Sequence, residues 1–378
     1  MINSSVKIGI VGGGQLGRML TASAKKMGFF VTVIDPTPQS PAGQIADHQI
    51  IADFKNEKAI KKLASVSDIL TFEIELANDK VLNDLQKNGT IINPSPKALG
   101  IIRDKLVQKK FLQKNKIPTA KFFEVNSKED IVKIAEKLGF PFLIKVRTDA
   151  YDGRGNFLVK NFKDIDKGLE KLKGKKLYIE KYVSFTKELA VIIARNNKGK
   201  IISYPVVETI HKDNICDTVI APAQISKKNL EKAKSLAIKT MKHLKGAGVF
   251  AIEMFLEKDN NIVVNEIAPR VHNSGHFTIE ATVTSQFEQH IRAITGLPLG
   301  STNMLTKVAV MKNILGEFNG SSYPRGIEKA LKIDGVSLHV YGKNESRPKR
   351  KMGHITVLGD NVEECLKKAE LARKRLII

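Results

Sequence analysis

The chain has 378 residues, 42% hydrophobic and 27% charged, long enough for two or three domains and too balanced for a collagen-like, disordered or membrane-embedded class. With 62 Lys+Arg against 39 Asp+Glu it carries a formal charge of +23. That excess points either to an anionic partner (nucleic acid, an acidic membrane surface, a phosphorylated small molecule) or to a lysine-rich composition spread over solvated faces.

Two cysteines, Cys216 and Cys365, exclude a disulfide scaffold and supply no Cys-x-x-Cys pair for zinc. Residues 7–11 read as an apolar strand. The run is too short for a secretory segment, and no small-residue cleavage site follows it. No apolar stretch approaches the ~18–20 residues of a membrane span. The expectation is a cytoplasmic protein.

Gly12-Gly-Gly-Gln-Leu-Gly17 follows that strand, then a helical pattern ended by Gly28. A strand over 29–34 is closed by Asp35-Pro36. Helices over 57–66 and 78–87 alternate with strands over 69–72 and 90–92. Such alternation predicts a parallel sheet with right-handed crossovers over about residues 1–100. A helix over 99–114 leads to a strand over 121–125, a helix over 127–138 and a strand over 142–146. A glycine-bearing loop, 149–156, precedes a strand over 157–159, a helix over 164–172 and a strand over 177–180. Longer strands follow at 188–195, 200–208 and 218–221. Then come a helix over 229–244, strands over 248–256 and 261–268, and a long helix over 276–295. The remainder reads as short strands (307–311, 337–341, 354–357) and a basic helix over 361–375.

Gly12-x-Gly14-x-x-Gly17 between a strand and a helix, with Asp35 ending the next strand, satisfies a dinucleotide fingerprint. The alternative is a βα turn that needs glycine sterically and binds nothing. Lys145 ends a strand directly before a loop holding Tyr151, Asp152, Gly153, Arg154 and Gly155. A lysine below a glycine loop suits a phosphate, although Asp-Gly also makes plain hairpin tips.

The paired acids say more. If Asp259-Asn260 is a two-residue hairpin loop, Glu253 and Glu266 lie directly opposite each other on apolar strands. Opposed residues have Cβ atoms about 4.5–5.5 Å apart, and like charges there repel. The pair needs a cation or a shared proton, and Mg²⁺ takes one or two carboxylates plus substrate phosphates. A longer loop would shift this register. Asn265-Glu266-Ile-Ala-Pro-Arg270-Val-His272-Asn-Ser-Gly-His276 follows. There Arg270 is suited to clamping an anion and His272 to moving a proton near neutrality.

The run from Asn265 through Glu280, with Thr284-Ser-Gln-Phe-Glu288 and Gly296-Leu-Pro-Leu-Gly300, resembles the N5-carboxyaminoimidazole ribonucleotide synthase family. These are ATP-grasp ligases of purine biosynthesis. Gly13-Gly-Gln-Leu-Gly-Arg-Met19 and Tyr151-Asp-Gly-Arg-Gly155 match it too, so the likeness spans nearly the whole chain. It implies a mixed α/β and α+β fold. A Rossmann-like N-terminal domain (1–105) that binds no dinucleotide would precede a central ATP-grasp domain (106–300, lid part about 118–185). A small, mostly-β C-terminal domain (301–378) would complete it. The dinucleotide reading is replaced on this ground.

The resemblance also implies a reaction. Bicarbonate would be activated by ATP as carboxyphosphate and captured by the amine of 5-aminoimidazole ribonucleotide. The products would be N5-carboxyaminoimidazole ribonucleotide, ADP and phosphate. Lys105 and Lys145 would hold ATP phosphates, and Tyr151, Asp152, Gly153, Arg154, Gly155 and Asn156 would form the lid. Glu180, Lys181, Tyr182 and Val183 would be the adenine hinge, Glu188 would take the ribose, and His211 would touch the nucleotide. Glu253 and Glu266 would bind Mg²⁺ (or Mn²⁺), with Asn265 beside them.

Tyr151, Asp152, Arg154, Arg270, His272, Asn273, Ser274, Lys343 and Arg350 would serve the ribonucleotide and bicarbonate, with Arg270, His272, Asp152 and Arg154 catalytic. Lys343 and Arg350 suit the 5′-phosphate. Lys105 stands where many members have Arg, and Asn156 replaces a common Gln. The family implies a homodimer. With aromatics at 6% and no Trp, the sequence offers no aromatic-interleaved basic stripe for a nucleic acid. With no long apolar stretch, no membrane partner is expected either. Another ATP-grasp ligase, such as formate-dependent glycinamide ribonucleotide transformylase, is the alternative.

Overall fold

The computed structural model describes residues 6–148 and 155–378. Five strands form a parallel sheet in the order His48–Ile51, Phe30–Asp35, Lys7–Val11, Ile69–Phe72, Ile91–Ile92. Ile8, Ile10, Val31 and Val33 are fully buried in it, as a sheet covered by helices requires. The edge strand His48–Ile51 was not expected. None of its four residues is fully buried, so it carries no apolar alternation to read.

The helix predicted over 99–114 is two helices, Pro96–Arg103 and Lys105–Lys114. Asp104 between them is extended. Its carboxylate accepts from the N–H groups of Leu106 (3.0 Å) and Val107 (3.2 Å) and so caps the second helix. Arg147 pairs with the same carboxylate at 2.6 Å.

A four-stranded antiparallel sheet follows, in the order Phe122–Glu124, Leu177–Lys181, Phe142–Val146, Asn156–Val159. Residues 182–184 connect it to Phe185–Arg195, a strand of a nine-stranded sheet. In that sheet Ile262–Ala268, Gly248–Glu257, Phe185–Arg195, Val207–Lys212 and Ile215–Ala221 lie side by side, with Ile201–Ser203 on Phe185–Arg195. The strand expected over 200–208 is thus two strands, Ile201–Ser203 and Val207–Lys212.

Val308–Leu315 pairs antiparallel with Ile215–Ala221, bringing Lys312 opposite Thr218. Lys351–Gly359 and Val336–Val340 extend the sheet further. The C-terminal strands therefore continue the central sheet, and Val308–Leu315 and Lys351–Gly359 are longer than the short runs read from sequence. Their buried row (Val308, Val310, Ile355, Val357) packs against Cys365, Ala369 and Ala372 of helix Val362–Arg375.

The long helix expected over 276–295 is also broken, into a turn at Asn273–Gly275, Thr278–Ala281 and Gln286–Thr295. Ser285 accepts from the Glu288 N–H (3.2 Å) and starts the last helix with a side-chain cap. Among the described residues no helix is long and apolar enough to cross a membrane. Both cysteines are buried and free.

Candidate active site

The hairpin Gly248–Glu257/Ile262–Ala268 builds the centre. Its loop is longer than the two residues assumed: Glu257 N–H donates to Asn261 O (2.9 Å), leaving Lys258, Asp259 and Asn260 outside, and Asn260 is left-handed (φ 64°). The extra residue moves the pairing to Met254↔Val264. An irregularity between Glu253 and Met254 then restores Glu253↔Glu266. A bulge leaves one residue unpaired and re-aims its neighbours; Asn265 is that residue. The two glutamates face each other, as the sequence implied, but through a bulge and not through a simple register.

Their surroundings are unequal. Lys105 Nζ, opening the helix that Asp104 caps, lies 3.1 Å from Glu266 Oε2. Burial opposes ionisation, but Lys105 and Lys145 hold Glu266 below the usual carboxylate range. Burial and the facing Glu266 push Glu253 up to about 7. Glu253 Oε1 is 3.5 Å from His272 Nε2. His272 Nδ1 accepts from the Ser274 backbone N–H (3.3 Å) and lies 2.9 Å from the Ser274 hydroxyl. Since an N–H group only donates, Nδ1 is the bare nitrogen and Nε2 carries the proton. Burial, Arg270 and Lys351 hold the imidazole well below its ordinary value. The unliganded ring is a neutral donor, which corrects the expectation of a group titrating near neutrality.

Beside this pair lies a buried cation cluster. Lys145 Nζ is 3.2 Å from Glu180 Oε1, and Lys109 Nζ is 2.7 Å from Glu180 Oε2. Although burial works against them, Lys109 and Lys145 hold Glu180 low. Glu180 and Lys109 are each only 2% exposed. Glu188 meets His211 Nδ1 at 3.1 Å across adjacent strands. Lys181 and Tyr182 are exposed and Val183 half-buried at the connection between the two sheets. Asn156 pairs with Lys145 across its hairpin, and Gly155 O accepts from Val146 N–H (2.8 Å). Tyr151, Asp152, Gly153 and Arg154 lie outside the described residues.

The third wall is formed by Arg270, paired with Glu75 at 3.2 Å, and by Asn273 and Ser274, both buried. The Asn273 Nδ2 atom is buried with no hydrogen-bond partner among the described residues. At the far side, Gly342 O accepts from Gln44 Nε2 (2.7 Å), tying the C-terminal turn to the N-terminal domain. Burial and Arg350 bring Lys343 down to about 8. The Arg350 guanidinium donates to Glu345 O at 2.7 Å.

The glycine motif has another tenant than a dinucleotide. Glu73, directly after strand Ile69–Phe72, accepts from Gly14 N–H (2.5 Å) and Gly17 N–H (2.7 Å). The protein's own carboxylate thus fills the helix N-terminus where a pyrophosphate would sit. Asp35 is likewise engaged, accepting from Gly13 N–H (3.0 Å) and Thr37 N–H (2.9 Å). Gly17 is required by close approach, since a Cβ there would lie 2.8 Å from Gly12 O.

Sequence reasoning missed Glu73, Glu75 and Lys109. Each had a signal. Glu73-Ile-Glu75 puts two acids at the carboxyl end of a parallel strand, where α/β sheets bind ligands. Lys109 lies on the helix stripe of Leu106 and Leu112, both fully buried, where a lysine needs a partner.

Two opposed carboxylates, one pushed up and without a lysine of its own, are a donor set that fits a hard divalent cation. No group of three or more His, Cys, Asp or Glu that could hold a metal occurs among the described residues. Two carboxylates plus phosphate oxygens need none. A cavity of about 410 Å³ lined by Thr218, Lys312 and Glu370 lies elsewhere. Its Lys312 is already held by Asp217 (2.7 Å) and Glu370 (3.0 Å).

Three family models match successive parts of the chain. They are a ribonucleotide synthetase preATP-grasp domain over residues 5–103, an ATP-grasp domain over 110–287, and a phosphoribosylaminoimidazole carboxylase C-terminal domain over 309–368. The chain is 46% identical to a phosphoribosylaminoimidazole carboxylase of Candida glabrata over 96% of its own length, but spans only 65% of that relative. A crystal structure of N5-carboxyaminoimidazole ribonucleotide synthetase from Thermotoga maritima matches with 51% identity and a TM-score of 0.90, covering 98% of this chain and 99% of that one. The Aspergillus clavatus N5-carboxyaminoimidazole synthase, solved with ADP and 5-aminoimidazole ribonucleotide, matches with 38% identity and a TM-score of 0.91, covering 98% of each chain.

Proposed function

The chain belongs to the N5-carboxyaminoimidazole ribonucleotide synthase family of ATP-grasp ligases, and we propose that it joins bicarbonate to 5-aminoimidazole ribonucleotide, driven by ATP. The observation that carries this reading is the convergence of one carboxylate pair, Glu253 and Glu266, with the buried lysines Lys105 and Lys145 and the polar loop of His272. A binding module has no need of two facing carboxylates beside buried lysines; phosphoryl transfer does.

In this reading a bicarbonate oxygen attacks the γ-phosphorus of ATP. The bond to the bridging oxygen breaks and ADP departs. The resulting carboxyphosphate, or CO₂ released from it, is captured by the exocyclic amine. The carbon–oxygen bond to phosphate breaks, the amine loses a proton, and phosphate leaves with an oxygen that came from bicarbonate. Lys105 and Lys145 supply point charges to the phosphates. Glu180, held by Lys109 and Lys145, keeps Lys145 charged. Glu188 and His211 serve the ribose end, and residues 180–183 the base. Gly155 and Asn156, with Tyr151 to Arg154, serve the lid.

Glu253 and Glu266 would hold Mg²⁺ or Mn²⁺, beside Asn265, and the ion would supply neutralisation of the phosphate oxygens. His272, a neutral donor at Nε2, orients a carboxyl oxygen. Arg270 clamps it, and Asn273 and Ser274 complete that wall. Lys343 and Arg350 take the ribonucleotide phosphate. Closure over the site excludes water, which would otherwise hydrolyse carboxyphosphate. A homodimer working in the cytoplasm completes the proposal.

Purified protein should release ADP only when bicarbonate and the ribonucleotide are both present. Glu266→Gln should lose this turnover by about 10²-fold or more while melting like the wild type. Full activity in that variant, or ADP release indifferent to the ribonucleotide, refutes the reading.

A further inference from the structure

The segment around Thr284-Ser-Gln-Phe-Glu288 has no part in the proposed chemistry, yet it lies directly behind His272. We infer that Gln286 is the positioning residue for His272, holding it by both of its backbone groups through one side-chain amide; this rests on the proposed carboxylation. Gln286 is fully buried. Its Oε1 accepts from the His272 N–H at 2.9 Å, and its Nε2 donates to the His272 C=O at 2.7 Å. A primary amide donates and accepts in one plane, so it serves the backbone as a neighbouring β-strand would. Nε2 also lies 3.2 Å from His276 Nδ1.

The clamp is anchored at both ends. The Gln286 backbone N–H donates to Thr278 Oγ1 (2.9 Å), and that hydroxyl donates to Gly275 O (2.6 Å). Helix Gln286–Thr295 is fixed in turn by Phe287, Ile291 and Ile294, which are buried in the core. Gly275 admits the amide: a Cβ there would lie 2.5 Å from Gln286 Oε1. With its backbone held by Gln286 and Nδ1 held by Ser274, His272 has Nε2 directed at Glu253. An ionised glutamate at 286 could not donate to the carbonyl, and an apolar side chain would leave two buried backbone groups unpaired.

A double-mutant cycle tests this. Gln286→Met keeps the length of the side chain and removes the amide. It should bind Mg-ADP with wild-type affinity, because the Lys109–Glu180–Lys145 cluster is untouched, and keep the wild-type KM for ATP. Its ribonucleotide-dependent kcat should fall about 10- to 100-fold. In a His272→Ala background the same substitution should change kcat less than about twofold. Losses that multiply in the double variant overturn the assignment. If Gln286→Met does not fold, Gln286→Glu, which keeps the shape and the acceptor, enters the same cycle. Loss of Mg-ADP affinity in both overturns the assignment in favour of a purely structural role. Wild-type protein without ribonucleotide-dependent turnover refutes the carboxylation reading itself.

Discussion

Lys109 and Lys343 show what a single residue contributes and what sequence conceals. Lys109 joins Glu180 at 2.7 Å and Thr119 Oγ1 at 2.9 Å, almost wholly out of water. Removing one partner of such a pair leaves the other buried with less compensation. Lys109→Met should lower the stability of the nucleotide-free protein by about 3 kcal/mol in urea titration. A change below about 1 kcal/mol would mean that Lys145 alone satisfies Glu180. Lys343, proposed to take the ribonucleotide phosphate, should make that end of the site pH-dependent. Its folded value of about 8 lies below the ordinary 10.5. The charged form therefore opposes folding, and that cost is relieved as pH rises from about 8 towards 10.5. Binding runs the other way, because the anion needs the cation. The kcat/KM for the ribonucleotide should fall as pH passes about 8, while kcat/KM for ATP shows no such limb, and Lys343→Arg should remove it. An unchanged limb in that variant would detach Lys343 from the phosphate. Residue types such as Glu253, Glu266, Arg270 and His272 were legible because their spacing was specific. The protonation of His272 was not, because Ser274, Arg270 and Lys351 set it through space.

At the scale of elements, most strands and helices follow from hydrophobic period, and the two misjudged helices break where a side chain caps a new one. Asp104 divides one expected helix and Ser285 another. Both breaks serve the site: the first sets Lys105 toward Glu266, and the second sets Gln286 behind His272. The hairpin is a subtler case. The opposition of the two glutamates was expected from a two-residue loop, but a three-residue loop and a bulge at Asn265 produce it. Pattern alone does not distinguish these routes. The glycine motif shows the limit of local pattern, since the family resemblance and not the motif itself set the dinucleotide reading aside. Its backbone matches the dinucleotide fingerprint, and only tertiary structure brings Glu73 onto its N–H groups. Titration with NADH should show no saturable fluorescence change. Saturable binding would mean that Glu73 leaves the helix terminus readily.

The whole molecule puts the opening charge in proportion. Several site cations are paired within the fold: Lys105 with Glu266, Lys109 and Lys145 with Glu180, Arg270 with Glu75. Much of the excess lies on solvent faces such as helix Lys227–Leu244, where Lys227, Lys228, Lys232, Lys234, Lys239 and Lys242 are all exposed. The +23 is thus in good part a solvated surface around a site for small anions. The sequence separated a C-terminal unit, but pairing of Val308–Leu315 with Ile215–Ala221 carries one sheet through that boundary. That sheet runs from Glu253 and Glu266 at one side to the strands bordering Lys343 and Arg350 at the other. Within this span, in the proposed reaction, ATP activates bicarbonate. Turnover with ¹⁸O-labelled bicarbonate and the ribonucleotide tests it most directly. One labelled oxygen should appear in each phosphate released, together with one ADP and one carboxylated product. Phosphate free of label, formed while the ribonucleotide is being carboxylated, would contradict it.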